Sequence, residues 1–215
     1  MKNHWISARK KLLQTVKLSV NRSIGEPTSD LQKFNEIYQK EFLGKWQNSS
    51  AKELISKVSK AKLVFGADFH AYSQSQRTHL RILRSLPTTT EVILCLEIFA
   101  SRDQEKIDLF LKGKMSEKQF LKKIKWQESW GFPWENYKPL LDLAKKRSFK
   151  VVGLNVLQNS RDRTAMEARE KHAAPLISKC VTAAPRSLIY VIYGDLHLAK
   201  NNLPAKVFGF RDFEI

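Results

Sequence analysis

Two segments far apart in the chain carry residue types suited to metal ligation or proton transfer, in one repeated arrangement: an apolar run, a glycine, then Asp-x-His. The first, LVFGADFH, ends in Asp68 and His70; the second, IYVIYGDLH, ends in Asp195 and His197. Residues at i and i+2 point the same way while the chain stays extended, so each pair can face one cavity. A further acid, Glu97, lies inside VILCLEIF between Leu96 and Ile98. Burying a carboxylate there is costly unless it is paired, protonated or bound to a cation. Two readings of Glu97 stand: a salt bridge to a nearby Lys or Arg, or membership of one shared site with Asp68, His70, Asp195 and His197. No His-Glu-x-x-His spacing supports a protease-type zinc helix.

Two other segments bear on such a site. WQESWGFPWENYKPLL crowds Trp126, Trp130, Phe132, Trp134 and Tyr137 around Gly131 and Pro133. It reads as a hydrophobic plug between helices, or as flat apolar surface over a ligand such as a porphyrin, with the Tyr137 phenol able to approach iron. In NSRDRTAME, Ser160 is a candidate N-cap that places Arg161 and Arg163 in a helix's first turn, where cations oppose the dipole. They require an anionic ligand, or Asp162 and Glu167 as partners. Of the remaining histidines, His79 reads as surface or supporting, His172 as solvated and His4 as terminal.

The elements that must position these residues follow from periodicity. Residues 1–60 read as helices, with a turn at Pro27, a helix carrying Phe34, Ile37, Tyr38, Phe42 and Leu43, a loop at 44–50, and Ser50 capping a short helix through Val58. Strands are expected at 62–67, 91–98, 149–154 and 188–193, with 205–210 a weaker fifth. Helices are expected at 73–86, 101–112, 116–125, 135–147 and 160–180. This alternation implies an α/β fold: a mostly parallel sheet flanked by helices on both faces, with an N-terminal helical extension over 1–60 and the main domain over 61–215. Each main strand ends in a polar side chain, and the crevice beyond strand carboxyl ends is where open α/β sheets bind ligands.

A chain of 215 residues with 42% hydrophobic and 27% charged content has the make-up of a folded globular domain,. The net charge of +17 is scattered, with clusters at Arg9-Lys10-Lys11, Lys122-Lys123 and Lys145-Lys146-Arg147. No zinc finger, RNP signature or basic-leucine heptad accompanies it, so nucleic acid is not the expected partner. Cys95 and Cys180 make no disulfide framework, and Cys95 reads as a buried small hydrophobe, which fits a reducing, cytoplasmic setting. The N-terminus lacks a continuous apolar stretch, so neither a cleaved signal nor a membrane span is expected. Trp5, Ile6, Leu12, Leu13, Val16 and Val20 can line one side of a basic helix, packed on the domain or lying peripherally on an anionic membrane.

In order along residues 62–207, the chain resembles the ChaN-like family, associated with haem binding and iron uptake and grouped with the Tiki proteases and erythromycin esterases. ADFH at 67–70 stands where that family typically has Gly-Glu-x-His, and LEIF at 96–99 is similar to its Leu-Glu-Met-Phe. WGFPWENYKPLL at 130–141, VVGLN at 151–155, RDRTAM at 161–166 and GDLH at 194–197 follow in the expected sequence. Asp68 replaces the usual Glu, drawing the carboxylate back by about one methylene bond, ~1.5 Å, and Leu196 stands where Gly is common. The resemblance implies a haem- or iron-binding protein with His70, His197 and Tyr137 as candidate ligands and Trp130, Trp134 and Arg163 beside the haem. The alternative it implies is a hydrolase, with Glu97 or Asp68 as general base and a divalent metal held among His70, His197, Asp68, Glu97 and Asp195. A third reading is a scaffold that keeps an interaction surface without chemistry. The partners expected are haem or another anionic small molecule, with a second copy of the chain as a homodimer partner.

Overall fold

The computed structural model of the protein describes residues 2–24, 28–40, 49–156 and 162–209. Three helices come first: α1 (Lys2–Ile24), α2 (Ser29–Lys40) and α3 (Ala51–Lys60). Ser50 caps α3 by accepting a hydrogen bond from the Glu53 backbone N–H,. Pro27, Phe42 and Leu43 lie outside the described residues, as does most of the loop expected at 44–50.

Strands and helices then alternate. β1 (Leu63–Asp68) leads to α4 (Ser73–Ser85), and β2 (Val92–Ala100) to α5 (Gln104–Leu111), α6 (Glu117–Lys123), α7 (Trp126–Ser129) and α8 (Trp134–Lys146). β3 (Lys150–Asn155) is followed by α9 (Arg163–Ala183), and β4 (Leu188–Gly194) by α10 (Leu203–Gly209). The strands form one parallel sheet in the order β1-β4-β2-β3. β2 and β4 are buried at every position, as parallel strands covered on both faces must be. Their side chains alternate between two cores. Leu94, Leu96, Tyr190 and Ile192 pack beneath α4, α5, α6 and α8, while Cys95, Ile189, Val191 and Tyr193 pack beneath α9 and α10. Among the described residues, no helix is long and apolar enough to cross a membrane.

Two expectations change. The weak fifth strand at 205–210 is the helix α10 over its described part. Leu203 and Val207 are its buried residues, four apart, and pack in the α9-side core; that helical spacing overrides the apolar look of the segment. The helix expected from Ser160 starts at Arg163, and its cap is Asp162, which accepts from Ala165 N at 2.8 Å. Ser160 and Arg161 lie outside the described residues.

The strand order sets up the site. β4 lies between β1 and β2, with Asp68 level with Gly194 and Leu96 level with Ile192. The β2–β3 register shifts between Leu96 and Ala100, bracketing Glu97; such irregularities re-aim side chains. Gly66 is required by close approach, since a Cβ there would lie 2.5 Å from His79 Cε1. His79 is not at the surface: it is buried, with Nδ1 3.1 Å from Tyr190 OH and Nε2 2.9 Å from Ala67 O.

Candidate functional site

Toward the carboxyl ends of β1, β2 and β4, acidic and basic groups stand in an alternating row: Asp68, His70, Glu97, His197, Glu170, Lys206. Asp68 is 2% exposed. Its Oδ2 lies 2.9 Å from His70 Nδ1 and accepts from Tyr137 OH at 3.0 Å, while Oδ1 accepts from the Gln76 side-chain amide. Glu97 accepts from Gly194 N at 2.6 Å and lies between two imidazoles, 3.8 Å from His70 Nε2 and 3.7 Å from His197 Nε2. His197 Nδ1 is 3.0 Å from Glu170 Oε1, which also accepts from Asn202 at 3.1 Å. Glu170 Oε2 pairs with Lys206 at 2.6 Å. Gly194 is at the centre: a Cβ there would lie 3.2 Å from both Glu97 Oε2 and His70 Nε2 and 3.3 Å from His197 Cδ2.

At Asp68 and His70, burial and neighbouring charges act in opposite directions. Burial opposes a charge on His70, yet the bonded Asp68 carboxylate, with Glu97 and Asp195 nearby, outweighs it and holds the pKa above the ordinary histidine value,. For Asp68, burial likewise favours the neutral acid, but His70, the Tyr137 hydroxyl and His79 hold its pKa below the usual carboxylate value. Burial, with Asp68 and then Glu97 close by, pushes Tyr137 above the ordinary phenol range, so it stays a donor. Because folding raises the His70 pKa, its stabilising contribution is complete below the unfolded value, ~6.5, and is lost as pH rises through the folded value. Stability should therefore fall above neutrality in the parent and fall less in His70→Gln. Urea midpoints measured across that range test this, and parallel curves would refute it.

The fold brings together Asp68, His70, Glu97, His197 and Tyr137. The Lys or Arg partner considered for Glu97 is replaced by a backbone N–H and two imidazoles. Asp195 and His197 do not point the same way, because 195–198 is a 3-10 turn and successive residues turn by about 120°. His197 enters the row; half-buried Asp195 acts on His70 through its charge. Among the described residues, no three His, Cys, Asp or Glu side chains converge as ligands of one metal ion. The aromatic segment divides. Trp126, Trp134 and Tyr137 belong to the core, while Trp130 meets His70 edge-on at 4.5 Å between ring centroids and Phe132 lies at 5.3 Å. Arg163 lies over the Phe34 ring at 4.7 Å and 3.5 Å from Glu167. His172 is half-buried rather than solvated, with Nε2 2.7 Å from Ser101 Oγ.

Sequence reasoning missed Glu170, Gln76, Asn202 and Lys206. Glu170 had a signal: it shares the buried face of α9 with Met166, Ala173, Ala174 and Ile177, a carboxylate on an apolar helical stripe. Gln76 likewise falls in line with His79, Leu80 and Leu83 on α4.

A concavity lies on the other side of the β1 end. This groove, of about 840 Å³, is bounded by α1, the β1–α4 turn and α4. Ile6, Leu12, Leu13 and Phe69 supply apolar walls, Tyr72 a phenol, and Arg9, Lys10 and Arg81 positive charge. The two places part at the end of β1: Ala67 and Phe69 line the groove, while Asp68 and His70 turn into the row.

Likeness to known proteins appears at the level of family and of fold. The family described as "Haem-binding uptake, Tiki superfamily, ChaN" matches residues 54–178, more than half of the 215-residue chain. That span ends before Gly194 and His197. No curated protein matches. Among solved structures, the fold is similar to ChaN of Campylobacter jejuni, described for cofacial haem binding. The TM-score is 0.55 at 13% identity, over 76% of this chain and 82% of that one. It is also similar to the C-terminal region of Pasteurella multocida toxin, described as having a thiol-protease like catalytic triad. There the TM-score is 0.52 at 18% identity, over 91% of this chain and 27% of that one. At these identities the likeness is one of fold.

Proposed function

Because this chain belongs to the haem-binding uptake, Tiki superfamily, ChaN family, we propose that it binds haem, and that the haem occupies the groove between α1 and the β1–α4 turn. The observation that carries this reading is the make-up of that groove. Its volume of about 840 Å³ lies within the ~300–1,000 Å³ usual for small-molecule and cofactor sites. Apolar side chains suit a porphyrin face, and Arg9, Lys10 and Arg81 suit its propionates. Tyr72 offers an oxygen ligand of a kind that haem iron accepts. Bound there, haem would supply redox-active iron, while the chain's part would be to hold its face with apolar side chains, its carboxylates with Arg9, Lys10 and Arg81, and its iron with Tyr72.

The imidazoles of the row do not fit the same group. Both Nε2 atoms face Glu97 within 4 Å, and a single methyl at Gly194 would already touch Glu97 and both rings. Tyr137 is wholly buried with its hydroxyl bonded to Asp68. A porphyrin plane has no room among them.

Titration of the purified protein with ferric haem, followed by absorbance, tests the reading. The parent should saturate with a sharpened Soret band. Tyr72→Phe should weaken binding by at least about tenfold, about 1.4 kcal/mol, and change the spectrum, whereas His70→Gln and His197→Gln should bind as the parent does. No saturable binding by the parent would end the haem reading. Loss in His70→Gln with none in Tyr72→Phe would move the site to the row.

A second reading is favoured by Glu97 alone. A carboxylate held between two imidazoles, each backed by another acid, is an arrangement for acid–base chemistry. Hydrolytic turnover abolished in Glu97→Gln but kept in Tyr72→Phe would support it.

A further inference from the structure

The helices on either side of the groove carry charge of one sign. Neither α1 nor α4 contains an Asp or a Glu. On α1, Ile6, Arg9, Lys10 and Leu13 fall at i, i+3, i+4 and i+7, so apolar and cationic side chains share the side that lines the groove,. On α4, Arg77, Arg81 and Arg84 fall at i, i+4 and i+7, and all three are exposed,. Arg81 lines the groove, and the other two extend its charge along the helix.

The apolar part of this face is not closed over. Ile6 is 54% exposed, Leu12 48% and Phe69 37%, and all three line the groove. A helix that only packed on its domain would turn such residues inward and leave its cations to solvent. Here both kinds stay outside, on the same rim. We propose that this rim, formed by α1, the β1–α4 turn and α4, docks on the surface of an anionic lipid bilayer.

Both components fit that partner. Arg and Lys are drawn to the phosphates of a negatively charged leaflet, while Ile6, Leu12 and Phe69 enter the boundary between headgroups and acyl chains. The long stems of Arg9, Lys10 and Arg81 lie along apolar surface while their charged heads reach the phosphates, so the two kinds of side chain share one depth. A nucleic acid would take the charge alone and leave the three apolar side chains in water. Docked this way, the mouth of the groove opens onto the bilayer. The inference stands apart from haem, because the rim meets the membrane whatever the groove holds.

Co-sedimentation of the purified full chain with haem-free vesicles tests it. The parent should bind vesicles of phosphatidylglycerol mixed with phosphatidylcholine, bind phosphatidylcholine alone far more weakly, and be released in part by salt. Arg77→Glu with Arg84→Glu should lower partitioning by at least about tenfold, since each basic residue near the surface contributes about fivefold. Lys122→Glu with Lys123→Glu makes the same change of charge at exposed positions of α6, and should bind as the parent does. Ile6→Ser with Leu12→Ser keeps every charge and should still weaken binding by about tenfold. The proposal falls if the parent ignores anionic vesicles, or if the α6 pair loses as much as the α4 pair, which would mean attraction by net charge alone. It falls too if Ile6→Ser with Leu12→Ser binds as the parent does, which would make the rim a site for polyanions such as nucleic acid. Because the vesicles carry no haem, a failure of haem binding leaves this result untouched.

Discussion

Glu170→Ala should lower the free energy of unfolding by about 3–5 kcal/mol, the cost of removing one partner from a buried ion pair. Glu170 is 1% exposed and accepts from three groups: His197 and Asn202 on one oxygen, Lys206 on the other. Truncation leaves an ammonium, an amide and an imidazole facing a void. Glu170→Gln keeps the shape and one acceptor but loses the charge opposite Lys206, so its loss should be smaller. Urea unfolding gives both numbers; an unchanged denaturant slope would show that the change is in stability rather than in the unfolded chain. An alanine variant as stable as the parent would mean that the row does not hold α9 and α10 to the sheet end.

Lengthening the carboxylate at position 68 should also destabilise, even though glutamate is what the family resemblance leads one to expect there. Both Asp68 oxygens are occupied, by Gln76 on one side and by His70 and Tyr137 on the other, in a space closed to solvent. An added methylene must displace one of these partners, and overpacking of this kind costs about 1–3 kcal/mol. Asp68→Ala should cost more, about 3–5 kcal/mol, because it leaves His70 without the charge that raises its pKa. In Asp68→Ala the His70 titration should move down, as NMR of the imidazole would record. If Asp68→Glu matches the parent in stability and in that titration, the site is not fitted to the shorter acid.

These effects explain what could be read from the sequence. Each main strand was legible because its apolar run is the length of a buried parallel strand, and the two Asp-x-His endings marked where the strands stop. Asp68 does bond His70, although β1 stops at Asp68 and the chain turns at His70. The partnership of Asp195 with His197 did not survive, because a 3-10 turn rotates consecutive residues away from each other. Glu97 stood out as a carboxylate in an apolar run, yet its partners are brought by sheet order and a backbone N–H, which no local pattern encodes. Glu170 carried the same kind of signal on a helix but was hidden among the charges of AREKH. The α10 segment looked like a strand because so short a run of mixed polarity holds too little periodicity to separate the two spacings. The groove was invisible altogether, since it exists only where α1 lies beside the β1–α4 turn.

The residues from Ala67 to His70, at the end of β1, act as a partition wall. Side chains from this short stretch go alternately to the cationic groove and to the carboxylate row, so four residues of backbone separate the two. Neither can be rebuilt alone. An insertion or deletion of one residue here would trade their contents, sending a phenyl ring into the ion pairs and a carboxylate among the cations. The groove and the row are therefore coupled through one stretch of backbone, and whatever changes the phase of this wall changes both at once.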